Sequence, residues 1–455
     1  MVKFGGSVLG RAEDLRRAAS YVRDLIEERV QPVVVVSALR GTTQLILDAY
    51  ETERREPIDE VVRNHESIIE ELGEGRYARA ARELLEELRR TFDAFLKLAI
   101  HVASVRDLLL SFGERLAINL LAESLAEMSL EPVPLFGREA GIITDERFGE
   151  ASPTRECCVY VREKLLRQID SGRIPLIAGF IGETASGRIT TMGRGGSDYT
   201  ATFVGKCLGA SEVRLITDVP GIFTGDPKLF PNARLVPRLS FEEAIELSHL
   251  GGKKFHPRTF EPLLGTSVNV RVTRMNSSSG TLVSGASADP PLKSVTMSSR
   301  LELLVVRGAS MVGRLGTAAR VLSLLSSSGI NVIAMAQPAS ETSMNFLVEG
   351  GSHRRISSEL QELADSGYVR DYSVEENVAA VSVVGHGIGD PSVFALLLEA
   401  LRGAELRMIA RGPLDLSLTL VAEEREAARL AGELHSIVVS QEGFGPSLRE
   451  LGATG

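Results

Sequence analysis

Gly193-Arg194-Gly195-Gly196-Ser197-Asp198-Tyr199-Thr200-Ala201 is a glycine-rich turn that carries an arginine, an aspartate and a hydroxyl, and it runs on into helix-compatible residues. Backbone N–H groups can grip a phosphate chain only where no side chain blocks the approach, typically at a strand-to-helix turn whose dipole favours anions. A second turn of that kind opens the chain at Lys3-Phe4-Gly5-Gly6-Ser7. Before it stands the short apolar start Met1-Val2, and after it Leu15, Ala18, Ala19, Val22, Leu25 and Ile26 recur at helical spacing. The order is strand, glycine turn, helix. Alone, K-F-G-G-S is a weak signal for which a structural turn is the default reading. Paired with the longer loop, it points to phosphoryl transfer onto a small acid.

With 455 residues and 44% hydrophobic content, the chain has room for roughly three domains with full cores. Lysine plus arginine number 51 against 60 acids, a formal charge of -9, so neither nucleic acid nor an anionic membrane is an expected partner. A small-molecule ligand fits better. Cys157, Cys158 and Cys207 show no metal or disulfide spacing and read as ordinary reduced thiols in a reducing interior. No apolar run approaches the ~18 residues of a membrane span, and no basic-then-apolar leader precedes the first strand, so a cytoplasmic location is expected.

Continuous apolar runs at Pro32 to Ser37, Pro132 to Leu135, Ile174 to Ala178 and Val213 to Thr217 read as strands buried on both faces, with helical patterns between them. From about residue 50 to 125 the pattern is mostly helical, with Leu84, Leu85, Leu88, Phe92, Phe95 and Leu96 on one face. This predicts an α/β domain with a helical elaboration over residues 1–288. Ala286-Ser287-Ala288-Asp289-Pro290-Pro291 then reads as a linker, since two prolines and small polar residues continue neither element. Beyond it, Leu303 to Gly308 and Val381 to Gly385 each end an apolar strand in V-x-G and are each followed by helix, strand and strand. Two small repeats, 299–376 and 377–450, are expected. Such paired units commonly bind amino acids at their seam, and a ligand-free dimerisation module is the open alternative.

Within the Gly193 loop, an arginine fork at Arg194 suits a carboxylate, whereas a carboxylate at Asp198 would repel a phosphate unless it orients a cation such as Lys3. Ser111-Phe112-Gly113-Glu114-Arg115 places Glu114 near an exposed helix start, where it could receive an ammonium; a first-turn acid complementing the helix dipole explains it as well. Ser37, Gly41, Thr42 and Thr43 follow the Pro32 strand at the carboxyl end where open α/β sheets bind ligands, although ordinary loops use the same residues. Thr217 to Lys228 is rich in turn formers, with Phe223 able to stack on a purine and Lys228 near phosphate. Lys253 in Gly251-Gly252-Lys253 is a further candidate cation, and His256 before Pro257 reads as a packed or capping residue. The histidines form no metal or triad pattern.

These segments resemble those of the aspartate kinases, a branch of the amino acid kinase family, from Val2 to about residue 450. The motifs are K-F-G-G-S, S-A-L-R-G-T-T, S-F-G-E-R-L, T-D-E-R-F-G-E-A, G-F-I-G, T-T-M-G-R-G-G-S-D-Y-T-A, T-D-V-P-G-I-F-T-G-D-P-K and G-G-K-K-F-H-P. The resemblance implies an amino acid kinase fold followed by two ferredoxin-like ACT units, and conversion of L-aspartate to 4-phospho-L-aspartate with ATP and Mg²⁺ for lysine, threonine and methionine synthesis. It assigns Lys3 to the transferring phosphoryl group, Gly5, Gly6 and Ser7 to the phosphate turn, and Asp198 to organising the cation. Thr43, Glu114, Phe180, Arg194 and Ser197 would line the aspartate site, with Arg194 on the α-carboxylate and Glu114 on the α-amino group. Thr217, Asp218, Phe223, Lys228 and Lys253 would hold ATP.

The residues and the resemblance agree on the chemistry. An aspartate side chain, with a reference pKa of about 3.9, is already ionised at neutral pH and needs no general base to attack a phosphate. Many relatives carry tyrosine and arginine where Phe223 and Lys228 stand, so a hydroxyl contact and a bidentate grip are missing. In the first repeat, Met311, Asn331, Gln337, Ser340 and Glu341 fall in the effector-binding pattern. Lysine-sensing relatives often place an acid where Ile333 stands, which favours threonine over lysine as effector. In the second repeat, Arg411 to Leu416 replaces the effector signature, which suggests a structural copy. The resemblance further implies a homodimer or larger assembly and, since relatives have several residues before the lysine motif, allows a start upstream of the shortened first strand; the little length after residue 450 makes a fused homoserine dehydrogenase unexpected. A kinase for another acid such as glutamate and a non-catalytic sensor are the competing readings.

Overall fold

A computed structural model describes residues 1–251, 255–277, 279–308, 316–447 and 450–451. The chain forms two compact units, one of Met1–Ile222, Pro237–Phe241 and Phe255–Ala286, the other of Phe223–Val236, Glu242–Lys254 and Ser287–Gly455. The division therefore interleaves. Two stretches of the region expected to be catalytic are built into the second unit, and the last crossing falls within the anticipated linker.

The first unit carries strands β1 (Val2–Phe4), β2 (Val34–Val36), β3 (Pro132–Leu135), β4 (Ile143–Thr144), β5 (Ile174–Ala178), β6 (Ile181–Thr184), β7 (Ile189–Thr191), β8 (Glu212–Ile216), β9 (Arg238–Ser240), β10 (Asn269–Thr273) and β11 (Thr281–Ser284). Its helices are α1 (Ala12–Glu27), α2 (Thr42–Thr52), α3 (Glu56–Leu72), α4 (Arg76–Leu98), α5 (Ala103–Glu127), α6 (Cys157–Asp170) and α7 (Gly196–Leu208). Eight strands form one sheet in the order β3-β5-β2-β1-β8-β10-β11-β9, parallel except for the β10–β11 pair. The register Val2↔Val34, Phe4↔Val36 and Phe4↔Ile216 lines up the ends of β1, β2 and β8, so the loops that leave their carboxyl ends converge. β1 and β2 are buried at every position, because a parallel sheet covered by helices has no solvent face. Helix α1 closes one side with Leu15, Ala18, Ala19, Val22 and Leu25, the face its spacing predicts.

One expectation fails here. Cys158 on α6 and Cys207 on α7 form a disulfide, with Cα atoms 4.8 Å apart. The two helices pack side by side, a proximity that a sequence separation of 49 residues does not advertise. Cys157 alone is a free thiol, buried, donating to the Gly141 carbonyl, and burial pushes it up to about 11.

The second unit contains most of α8 (Phe241–His249), then β12 (Ser294–Arg307), α9 (Thr317–Ser327), β13 (Val332–Ala336), β14 (Ser343–Glu349), α10 (Ser357–Asp365), β15 (Asp371–Val384), α11 (Pro391–Ala400), β16 (Met408–Arg411), β17 (Ser417–Glu423) and α12 (Glu424–Ser440). The strand–helix–strand–strand plan occurs twice, as the repeated motif predicts. All six strands join one antiparallel sheet, β13-β14-β12-β15-β17-β16. β12 and β15 are long enough to serve both repeats: Leu301–Arg307 pairs with β14, while Ser294–Ser298 pairs with Ala380–Val384. Separate apolar clusters support the two ends, one around Val306, Phe346 and Leu360, the other around Val381, Leu420 and Leu434.

Candidate active site

The carboxyl ends of β1, β2 and β8 open onto a cavity of about 640 Å³ lined by Gly6, Ser7, Ser37 to Gly41, Thr43, Gln44, Leu47, Glu114, Ser197 and Asp218. After β1 the chain makes a single 3-10 turn over Gly6–Val8. A side chain at Gly6 would bring its Cβ to 2.8 Å from the Ala38 carbonyl oxygen, so only glycine lets this turn lie against the loop after β2. At Gly5 the same atom would stand 3.4 Å from both the Ile216 oxygen and Lys3 Nζ.

Lys3, on the central strand and only 7% exposed, places Nζ 2.6 Å from Asp198 Oδ1. Asp198 stands in the first turn of α7, behind Gly193 and Gly195, whose φ values of +73° and +71° belong to glycine. The two glycine turns are thus joined by an ion pair. Arg258 braces the loop from behind: its guanidinium donates to the Met192 carbonyl and to Ser152 Oγ and lies 4.9 Å over the Tyr199 ring. His256 packs against Gly195, and its Nδ1 accepts from the Arg258 N–H, the capping part expected of it. Asp107 is a second support that sequence reasoning missed. Fully buried, it accepts from the Gly149 and Thr191 N–H groups and from the Thr191 hydroxyl, tying the 149 turn to β7.

Glu114 is where reading and structure part. It lies in the middle of α5, not near an exposed helix start, and is 3% exposed. Gly113 does not break the helix; its absent side chain lets the β2 loop close in, since a Cβ there would meet Ala38 Cβ at 2.8 Å. Burial raises the Glu114 carboxyl from about 4.5 to about 8, against the opposing pull of the Ala38 N–H, its own backbone N–H and the charge on Lys3. Its Oε2 is buried without a hydrogen-bond partner.

Most of the remaining expected residues gather nearby. Ser7 and Thr217 hydroxyls donate to Asp218 Oδ1 at 3.1 and 3.0 Å, and Arg274 donates to the Asp218 carbonyl. Ser197 and Thr43 stand at the starts of α7 and α2 on the cavity wall. Phe180 has a φ of +68°, its N–H donates to Thr200 Oγ1, and its ring sits against Gly196 at the start of α7. Arg194 is exposed in the turn, with no bonded partner among the described residues. Arg40 and Gln44 line the cavity without having been singled out from sequence; a lone arginine in a loop carries no pattern.

Two expected nucleotide contacts fall in the other unit. Phe223 and Lys228 belong to the second unit. The Phe223 ring is 9% exposed, packed among Phe230, Leu235 and Val295, so in this conformation it is core rather than a platform for a purine. Lys228 is exposed, and its N–H donates to Asp226 Oδ1. Lys253 and Met311 lie outside the described residues. Asn331, Gln337, Ser340 and Glu341 are all exposed, the first two flanking edge strand β13 and the last two in the turn that leads to β14; the Ser340 hydroxyl bonds that of Thr342.

A parallel sheet with two glycine turns, a lysine–aspartate pair and a buried carboxylate in one cavity defines a phosphotransferase for a small acceptor. The chain belongs to the amino acid kinase family, which matches residues 1–274, and within it to the aspartokinases; an ACT domain matches residues 304–355. It is 31% identical to the aspartokinase of Geobacillus stearothermophilus over 95% of each chain. Escherichia coli aspartokinase III in complex with aspartate and ADP, described as the R-state, superposes with a TM-score of 0.80 at 29% identity, covering 96% of this chain and 99% of that one. The same enzyme with lysine and aspartate, the T-state, gives 0.78 at 30% identity, covering 96% and 98%. No helix among the described residues is long and apolar enough to cross a membrane.

Proposed function

We propose that the chain transfers the γ-phosphoryl group of ATP to the side-chain carboxylate of L-aspartate, the opening reaction of lysine, threonine and methionine synthesis, under feedback control by an amino acid. The observation that carries this reading is the Lys3–Asp198 pair, which fixes a cation where two glycine turns meet. The acceptor carboxylate is already ionised and attacks without a base; the difficulty is to align two anions. Lys3 supplies charge to the group in flight, the backbone N–H groups of the 5–7 turn hold it, and Asp198 keeps the ammonium in place. Glu114 receives the substrate ammonium, Arg194 its α-carboxylate, and Thr43, Phe180 and Ser197 complete that pocket. Thr217 and Asp218 hold nucleotide, with Phe223, Lys228 and Lys253 as further contacts; the buried Phe223 ring must turn out of its cluster to take part. Asp218 and the Ser7 hydroxyl offer hard oxygen donors on the cavity wall for the Mg²⁺ that accompanies ATP. When bound, the ion offsets triphosphate charge.

We further assign residues 1–288 to catalysis and the repeats 299–376 and 377–450 to regulation. The apolar Ile333 favours threonine over lysine as effector, through Met311, Asn331, Gln337, Ser340 and Glu341. A homodimer or larger assembly and a cytoplasmic location go with this function. The test is ADP release with L-aspartate, L-glutamate or N-acetylglutamate, with and without threonine or lysine. Aspartate alone should support turnover, and Lys3→Met should lower kcat by roughly 10²–10³-fold, the scale of losing a preorganised charge contact. Turnover with glutamate and none with aspartate overturns the substrate assignment, and a near-normal rate in Lys3→Met overturns the role of Lys3.

A further inference from the structure

Arg40 stands four residues beyond the end of β2 and is tied twice to the glycine turn: its N–H donates to the Leu9 carbonyl at 2.9 Å, and its guanidinium donates to the Ser7 carbonyl. It lines the same cavity as Ser7, Thr43 and Glu114. Among the described residues that line this cavity, it is the one cation, beside the carboxylates of Glu114 and Asp218. Lys3 is neutralised by Asp198, but no carboxylate among the described residues pairs with Arg40. A guanidinium presents five N–H donors in a rigid fork, and the bond to Ser7 occupies only part of it. A hydrogen-bonded staple for the turn would need one donor and no charge.

We propose that Arg40 is a substrate-binding residue, whose guanidinium engages an anionic oxygen of the reactants where they meet. That oxygen belongs either to the γ-phosphate of the nucleotide or to the side-chain carboxylate of the acceptor. The proposal rests on the phosphoryl-transfer reading of this cavity and adds to it a contact that holds two repelling anions together. Because the fork is anchored on the Ser7 carbonyl, its remaining donors are presented without a free side chain having to be ordered.

The test compares Arg40→Gln, which keeps a neutral donor, with Arg40→Lys, which keeps the charge without the fork. Both should melt within a degree or two of the parent. Arg40→Gln should lose roughly 10–100-fold in kcat/KM, the range of one charge-assisted hydrogen bond, and Arg40→Lys should recover part of it. If the partner is the γ-phosphate, the Kd for a non-hydrolysable ATP analogue rises while that for ADP holds. If it is the carboxylate, the aspartate KM rises and both nucleotide constants hold. The nucleotide arm requires no turnover, so it remains informative if aspartate proves not to be the acceptor. Parental constants in Arg40→Gln, or an equal loss for ADP, ATP analogue and aspartate together with a lower melting temperature, overturn the proposal and leave Arg40 a staple.

Discussion

With Glu114 as the proposed receiver of the substrate ammonium, its raised carboxyl predicts that aspartate binding depends on pH. With an ordinary value near 4.5 moved to about 8 by burial, Glu114 in the empty site is about nine-tenths protonated at pH 7. A protonated carboxyl cannot pair with the substrate ammonium, so binding must expel the proton. The apparent affinity at pH 7 is then about tenfold below its limit, a deficit of about 1.4 kcal/mol. Log KM for aspartate should fall by about one per pH unit from 6 to 7.5 and level off near 8. Calorimetry at pH 7 in buffers of different ionisation enthalpy should find close to one proton released per aspartate bound. Glu114→Gln should raise KM and abolish the slope. Stability carries the opposite sign. The folded state binds the Glu114 proton more tightly than the unfolded chain, so the stabilisation is complete below pH 4.5 and is lost as pH rises through about 8. Glu114→Gln should therefore gain in melting temperature relative to the parent at pH 8.5 but not at pH 4.5. A KM that stays flat from pH 6 to 8, with no proton released, refutes the reasoning.

Gly113→Ala should raise the aspartate KM more than it lowers stability, because the new methyl meets Ala38 at 2.8 Å and must push the cavity loop outward, a cost of about 1–3 kcal/mol partly offset by better helix propensity; unchanged kinetics would remove the close-approach argument. Cys207→Ser should lower the stability of the first unit by up to about 4 kcal/mol, the chain-entropy value for cross-linking residues 49 apart. Denaturation midpoints that are identical with and without reductant would show that the cross-link contributes nothing.

What could be read in advance was local. Apolar runs such as Val33 to Val36 and Ile174 to Ala178 are strands because a short, continuous apolar stretch is buried on both faces in a helix-covered parallel sheet. The glycine turns were legible because their function depends on missing side chains; charge alone said that Asp198 should answer to a cation and left Lys3 as one candidate, which only the structure selects. The misreadings share one cause, contacts made across long stretches of chain. Glu114 reads as lying near an exposed helix start, whereas the Gly113 before it is a gap within α5 that Ala38 fills from 75 positions away. Cys158 and Cys207 meet only because α6 lies along α7.

Phe223 shows the limit most directly. An aromatic in a turn-rich segment after a strand has the composition of a base-stacking residue, and its family position says the same. Its burial, however, is set by Phe230 and Leu235 a few residues on and by Val295 some seventy residues later, and its carbonyl accepts from the Ser294 hydroxyl. The bridge between Phe223 and Leu235 draws the whole stretch Phe223–Val236 into the unit that carries the repeats. The apolar burial given up if the ring turns out of this cluster must be recovered by whatever it then contacts. Substituting Phe223 with leucine keeps most of the apolar volume and loses the flat ring. It should therefore leave the melting temperature of the second unit nearly unchanged while weakening ATP analogue binding; a variant that loses stability and keeps its nucleotide affinity would confine Phe223 to the core.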